Sequence, residues 1–288
     1  MRAVRRCLLV LAVAAAVLGV TVPSGAAGAA TAPYCGPTVL KPDGVPWRCT
    51  FADDFSGRSL DPTRWTPVTT ANSGLRQGGA CYVDSPNNIA VRNGALNLTV
   101  RREYRASTCI PGYYTQYTAG QVATTGRFAQ QYGRFSIRAR FPAATVAGLQ
   151  SSLWMWPQTS GGGSGEIDIA EEYSKYADRA IPYLHYAYDP ATVNAATGVN
   201  VVTNNWCRIR NVAAFHVYTV TWTARQIAID YDGQTCLVDN LQPAGASPFD
   251  QPFFLLLTQT LGTGANGFQA WLTPLPATTQ IDWVRAWK

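Results

Sequence analysis

The chain has 288 residues, 47% hydrophobic and 14% charged, with 23 lysines and arginines against 17 acids and a formal net charge of +6. That content excludes a disordered chain, and a mild positive balance without basic blocks interleaved with aromatics excludes a nucleic-acid-binding stripe. Seven cysteines without zinc spacing, and two histidines, His185 and His216, that stand apart, argue against a sulfur-held or histidine-pair metal centre.

In chain order, three arginines and an apolar run of about fourteen residues, too short to span a bilayer, lead to Ala27-Gly28-Ala29. This predicts a secretory signal peptide over residues 1–29, with Arg5-Arg6 leaving a twin-arginine route open beside the general one. The expected product is secreted, extracellular or wall-associated, without stable membrane insertion, and monomeric. Its removal leaves 20 basic residues against the 17 acids, and six cysteines: Cys35, Cys49, Cys81, Cys109, Cys207 and Cys236. An even number in an exported chain predicts up to three disulfides; about fifteen pairings are possible, and pairing between sequence neighbours is the expectation adopted. After residues 30–50, a short extension, the remainder has no repeat or linker and reads as one domain.

Period-two alternation dominates from there on. "NNIAVRNGALNLTV" and "IAIDYDGQTCLV" each place a turn pair, Asn93-Gly94 and Asp232-Gly233, between alternating runs, which predicts two hairpins. "GRFSIRARFP" sets Phe135, Ile137, Ala139 and Phe141 on one face and Ser136, Arg138 and Arg140 on the other. Further strands are expected at "FADDF", "SLWMWP", "GEIDIAEEYS", "IPYLHYAY", "FHVYTVTW", "FFLLLTQT" and "IDWVRAWK". Many strands joined by short turns predict an all-β fold, a jelly-roll sandwich of two antiparallel sheets. Nine tryptophans and fourteen tyrosines supply aromatic surface suited to sugar rings.

The stretch "GGGSGEIDIAEEYSK" crowds Glu166, Asp168, Glu171 and Glu172 into seven positions. Glu166 and Asp168 share a strand face, with Ile167 and Ile169 on the other. Strict alternation would then turn Glu171 inward, where an unpaired carboxylate is costly. One extra residue around Ile169-Ala170, a β-bulge, returns Glu171 to the face of Glu166. The two backbones then lie roughly four steps of ~3.3 Å apart. Side chains leaning toward each other leave a carboxyl gap of ~5 Å, the spacing of a retaining glycosidase; Glu172 as partner would leave ~12 Å. The chemistry read from the strand is a nucleophilic carboxylate beside a carboxylic acid that protonates a leaving oxygen.

At these residues the sequence resembles glycoside hydrolase family 16, in its bulged Glu-x-Asp-x-x-Glu branch of laminarinase-like endo-β-1,3-glucanases. The similarity extends from "FADDFSGRSLDPTRW" through "YTAGQVATTGRFAQQYGRFSIRARFP" and "LWMWP" to "QIDWVRAWK". It implies that residues 51–288 are the catalytic domain, a concanavalin A-like jelly roll with a concave cleft. It further implies Glu166 as nucleophile, Glu171 as general acid/base and Asp168 as auxiliary carboxylate, with Trp154, His185 and Gln259 contacting substrate. No cofactor is implied for catalysis, and Asp282 stands where many members hold a structural calcium. The chain departs from laminarinase-like members at Gln150, where they usually carry tryptophan, and at "TLGTGANGF", which lacks their Trp-Pro loop. The expected function is a secreted retaining endo-glycosidase acting on a β-linked polysaccharide, foremost β-1,3-glucan. The alternatives are a wall transglycosylase, a galactan hydrolase or a non-catalytic carbohydrate-binding protein. A serine hydrolase is disfavoured because Glu166 stands where the last glycine of G-x-S-x-G belongs.

Overall fold

The computed structural model describes residues 33–159, 165–186, 200–241 and 248–288. The expected signal peptide and most of the glycine run before the acid strand lie outside the described residues. The strands form two layers. In the first, the order is Thr66–Pro67, Tyr113–Ala123, Phe253–Leu261, Leu149–Pro157, Glu166–Tyr173, Ile181–His185 and Val201–Thr203, all antiparallel. In the second, Ile89–Arg92 is followed by Ala95–Ile110, Ala277–Trp287, Gly133–Arg140, His216–Trp222, Gln226–Tyr231 and Gln234–Asn240. Cys49–Asp53 pairs with the far half of Ala277–Trp287. The long hairpin of Ala95–Ile110 with Tyr113–Ala123 passes from one layer to the other. The architecture is the expected jelly roll.

Local sequence explains the turns and faces. Asn93 and Gly94 have φ of 55° and 69°, and Asp232 and Gly233 50° and 79°, the left-handed pair that matches the twist of a two-residue hairpin. Alternate residues of each layer meet in one core: Phe135, Ile137 and Ala139 from one side, Leu153, Met155 and Ile167 from the other. The three disulfides pair sequence neighbours as expected, Cys35–Cys49, Cys81–Cys109 and Cys207–Cys236. Cys35–Cys49 and the backbone bonds between Arg48 and Lys288 tie the segment expected as an extension to the second layer.

Between the layers, beneath the acid strand, lies a polar group in place of hydrocarbon. Thr279 of the second layer donates toward Ser151 Oγ (2.8 Å) and Gln259 Oε1 (2.6 Å) of the first, and Ser151 also donates to Gln259 (2.8 Å). Glu172, opposite Ser151 in the strand register, is fully buried at 0% exposure; its carboxyl oxygens make no well-formed hydrogen bond among the described residues, and the nearby Ser151 hydroxyl only partly offsets burial. Burial pushes its carboxyl well above the usual range, so Glu172 is held neutral. The folded state therefore binds this proton more tightly than the unfolded chain. Its stabilising effect is complete below the ordinary glutamate pKa and is lost as pH rises above it, by about 1.4 kcal/mol per pH unit until the folded pKa is reached. Glu172→Gln, which stays neutral, is expected to raise the melting temperature over the parent by a margin that widens from pH 4 to pH 7. A margin that is constant across that range would contradict a neutral buried Glu172.

Candidate active site

The acid strand, Glu166–Tyr173, opens at Gly165, where a Cβ would lie 2.5 Å from Pro248 Cγ and 2.9 Å from the His185 carbonyl oxygen. Only glycine permits that approach, which seats Glu166 opposite His185. Along the strand, Asp168 pairs with Trp154 but Ala170 pairs with Leu153, so Ile169 is the inserted residue of a bulge. On the other side, Glu166 pairs with His185 and Glu171 with Ile181: five steps of the acid strand against four of its neighbour. The bulge turns Glu171 to the face of Glu166 and Asp168, and sends Glu172 into the core. Its inserted carbonyl is capped from the opposite layer: the Tyr231 hydroxyl donates to Ile169 O at 3.0 Å, both residues being buried.

On the exposed face the groups converge. Glu171 accepts from Gln150 Nε2 (2.8 Å) and Ser152 Oγ (2.8 Å) at one oxygen and from the Tyr173 hydroxyl at the other. Gln150 is itself oriented by a hydrogen bond from the Gln77 amide. Carboxyl oxygens of Glu166 and Asp168 and a His185 ring nitrogen lie within 4.8 Å of one another, with His185 Nε2 3.2 Å from Asp168 Oδ2. His185 stacks on Tyr183, ring centroids 5.7 Å apart. Trp154 is fixed by donation from Nε1 to Thr258 Oγ1 at 3.0 Å and by an edge contact with Trp156. Burial, with the adjacent Asp168 charge second, pushes Glu166 up to about 10; Asp168 is likewise raised, first by burial and then by Glu171. Two carboxyls this close and this dry retain a proton between them.

Two expectations are corrected. Gln259 faces the interlayer core, not the cleft: it is 0% exposed, accepts from Ser151 and Thr279, and donates to the Gln150 and Thr260 carbonyls. No sugar can reach it. Asp282 lies in the second layer, its carboxylate already paired with the Arg138 guanidinium of the neighbouring strand. Calcium seeks about six to eight oxygen donors; one carboxylate already neutralised by arginine does not fit that ion. The site also holds Gln150, Ser152, Tyr173 and Tyr183, with Tyr231 behind the bulge, none of which the acid motif by itself marks. Alternation in "LQSSLWMWP" does set Gln150 and Ser152 on the Trp154 face, and this signal was available once Trp154 had been placed.

Two layers of antiparallel strands, with acids grouped on the open face of one, define a jelly roll that carries a candidate acid–base site. The family model of Glycosyl hydrolases family 16 matches residues 79–285, more than half of the chain, and the chain belongs to that family. Its enzymes require no cofactor for catalysis. A glucan endo-1,3-beta-glucosidase A1 of Niallia circulans is 30% identical over 266 residues, covering 83% of this chain and 37% of that protein. A beta-glucanase of Rhodothermus marinus is 29% identical over 262 residues, covering 84% and 85%. The chain thus spans little more than a third of the first relative and most of the second. The solved laminarinase of Rhodothermus marinus superposes with a TM-score of 0.69 at 28% identity, covering 84% of this chain and 97% of that one. No helix among the described residues is long and apolar enough to cross a membrane.

Tyr231→Phe keeps the ring and removes a single hydrogen bond, a stability cost of about 1 kcal/mol. A loosened bulge is expected to lower kcat several-fold with KM nearly unchanged, and, on the reading of Glu171 as proton donor, to affect activated aryl glycosides far less than natural glycans. Equal losses on both substrates would show that Tyr231 does not act through Glu171.

Proposed function

We propose that this chain is a secreted, retaining endo-glycosidase of β-linked glucan, foremost β-1,3-glucan. The observation that carries the reading is the bulge, which sets Glu166 and Glu171 on one face with four backbone steps between their partners. Glu166 is the nucleophile: its carboxylate attacks the anomeric carbon and forms a glycosyl ester as the glycosidic bond breaks. Glu171, its carboxyl aimed by Gln150, Ser152 and Tyr173, gives its proton to the departing oxygen. It then takes a proton from the water that hydrolyses the ester, and the anomeric configuration is retained.

Glu166 and Asp168 share one proton, held on Glu166 while Asp168 carries the charge, and loss of that proton frees Glu166 to attack as an anion. Trp154 and His185 flank the reacting sugar. The names of the Niallia and Rhodothermus relatives support a β-glucan substrate, and the three disulfides suit export to an oxidising compartment. The calcium expected at Asp282 is not part of the proposal.

Glu166→Gln is expected to cut turnover of laminarin by at least about a thousandfold while the protein stays folded. Azide should partly rescue Glu166→Ala with a product of inverted configuration; a retained configuration would defeat the assignment. Oligosaccharide release should be greatest from laminarin and curdlan among laminarin, curdlan, lichenan, agarose and arabinogalactan. Products from agarose or arabinogalactan alone would replace glucan with galactan as the substrate, and longer glycans in place of shorter ones would mark a transglycosylase.

The pH dependence has a definite sign. Because the Asp168 charge helps to hold Glu166 high, Asp168→Asn lowers the Glu166 pKa. The acid limb of kcat/KM, which reports ionisation of the nucleophile, should move to lower pH. A limb that stays or rises would contradict the coupling.

A further inference from the structure

At the Tyr173 end of the acid strand lies a cavity of about 500 Å³ that the catalytic roles above leave unused. Tyr173, Ile181, Tyr183, Asn205 and Trp206 are among the residues that line it. Tyr173 joins it directly to the reaction centre, because its hydroxyl is bonded to Glu171. The volume is within the ~300–1,000 Å³ range of small-ligand sites, and the lining, aromatic with a few polar groups, is of the kind that holds a ring with hydroxyl edges.

Trp206 is 68% exposed. An indole so open is ordinarily mobile, yet this one is built in. The adjacent Cys207 is bonded to Cys236, Asn204 donates from Nδ2 to the Cys236 carbonyl at 2.7 Å, and the Trp206 amide donates to Asn204 Oδ1 at 3.0 Å. The Arg179 and Arg208 guanidinium carbons lie 5.0 and 5.4 Å from its ring centroid. Asp178 pairs with both arginines, and Arg179 also donates from Nη1 to the Asn205 carbonyl at 3.0 Å. Cation–π contacts and an anchored loop thus fix the ring plane, and at that exposure most of the indole stays open. A rigid aromatic plate binds with little loss of side-chain entropy, which is the advantage of preorganisation.

We propose that Trp206 is the stacking platform of a sugar-binding pocket at the Tyr173 end of the acid strand, taking a pyranosyl unit of the bound chain beyond those at the scissile bond. The lining is mostly aromatic with amide and hydroxyl edges, and its one cationic side chain, Arg179, is held by Asp178 and the Asn205 carbonyl. The inference rests on the reading of the chain as a polysaccharide hydrolase and adds a residue that selects longer substrates. Ring stacking there contributes affinity for long chains and leaves the chemical step unchanged.

The test is calorimetric titration of β-1,3-linked glucose hexasaccharide and disaccharide into the full chain carrying Glu166→Gln, with and without Trp206→Ala or Trp206→Phe. The expected result is roughly tenfold weaker hexasaccharide binding with alanine, most of the affinity kept with phenylalanine, and disaccharide affinity unaltered. In the chain with Glu166 intact, Trp206→Ala should raise KM for the hexasaccharide with kcat unchanged. Equal hexasaccharide affinity with and without the indole, or no binding to either form, overturns the pocket. Wild-type protein that binds the hexasaccharide through Trp206 yet cleaves no glycan would instead overturn the hydrolase reading and leave the pocket standing.

Discussion

One inserted residue governs this structure. An antiparallel strand alternates its side chains strictly, so two glutamates an odd number of positions apart cannot share a face. Ile169 breaks that parity, and Glu166 and Glu171 become neighbours across a cleft. An inserted residue also removes a carbonyl from the ladder, and buried carbonyls need partners. Tyr231 meets the need from the opposite layer. The geometry of the grouped acids therefore depends on the packing of two sheets as well as on the strand that carries them.

The same insertion explains the polar layer under the strand. Once Glu171 turns outward, Glu172 must turn inward, and the core beneath it holds Ser151, Gln259 and Thr279 instead of aliphatic groups. Small hydroxyls and an amide satisfy one another across the layers, while the carboxyl of Glu172 stays neutral in the dry space beside them. Above the strand, Gln150 and Ser152 face the cleft from the positions that alternate with Ser151, so neighbouring residues of one strand serve opposite purposes.

The fold was legible because its signals are local. Hairpin turns at Asn93-Gly94 and Asp232-Gly233, alternation in "GRFSIRARFP" and neighbouring cysteine pairs all depend on residues close in sequence. The bulge was legible too, since a buried unpaired Glu171 was the alternative. Gln259 was misplaced because its strand, Phe253–Leu261, is apolar on both faces through Leu257, so no period marks which side its polar residues take. Tyr231 and Trp206 carry no local signal for a different reason: each matters through an element distant in the chain, and single-sequence patterns carry no record of which strands meet.

The strand Ala277–Trp287 occupies the middle of the second layer, between Ala95–Ile110 and Gly133–Arg140, with Cys49–Asp53 alongside. Its partners were all synthesised far earlier. Until this segment arrives, the layer has a gap at its centre, with unpaired edges on both sides and no completed lid for the core. Closure is consequently a long-range event of high contact order, and the second layer stays open until residues 277–287 have been synthesised. Such a chain has a long interval in which it can be moved as an unfolded thread before the two layers lock together.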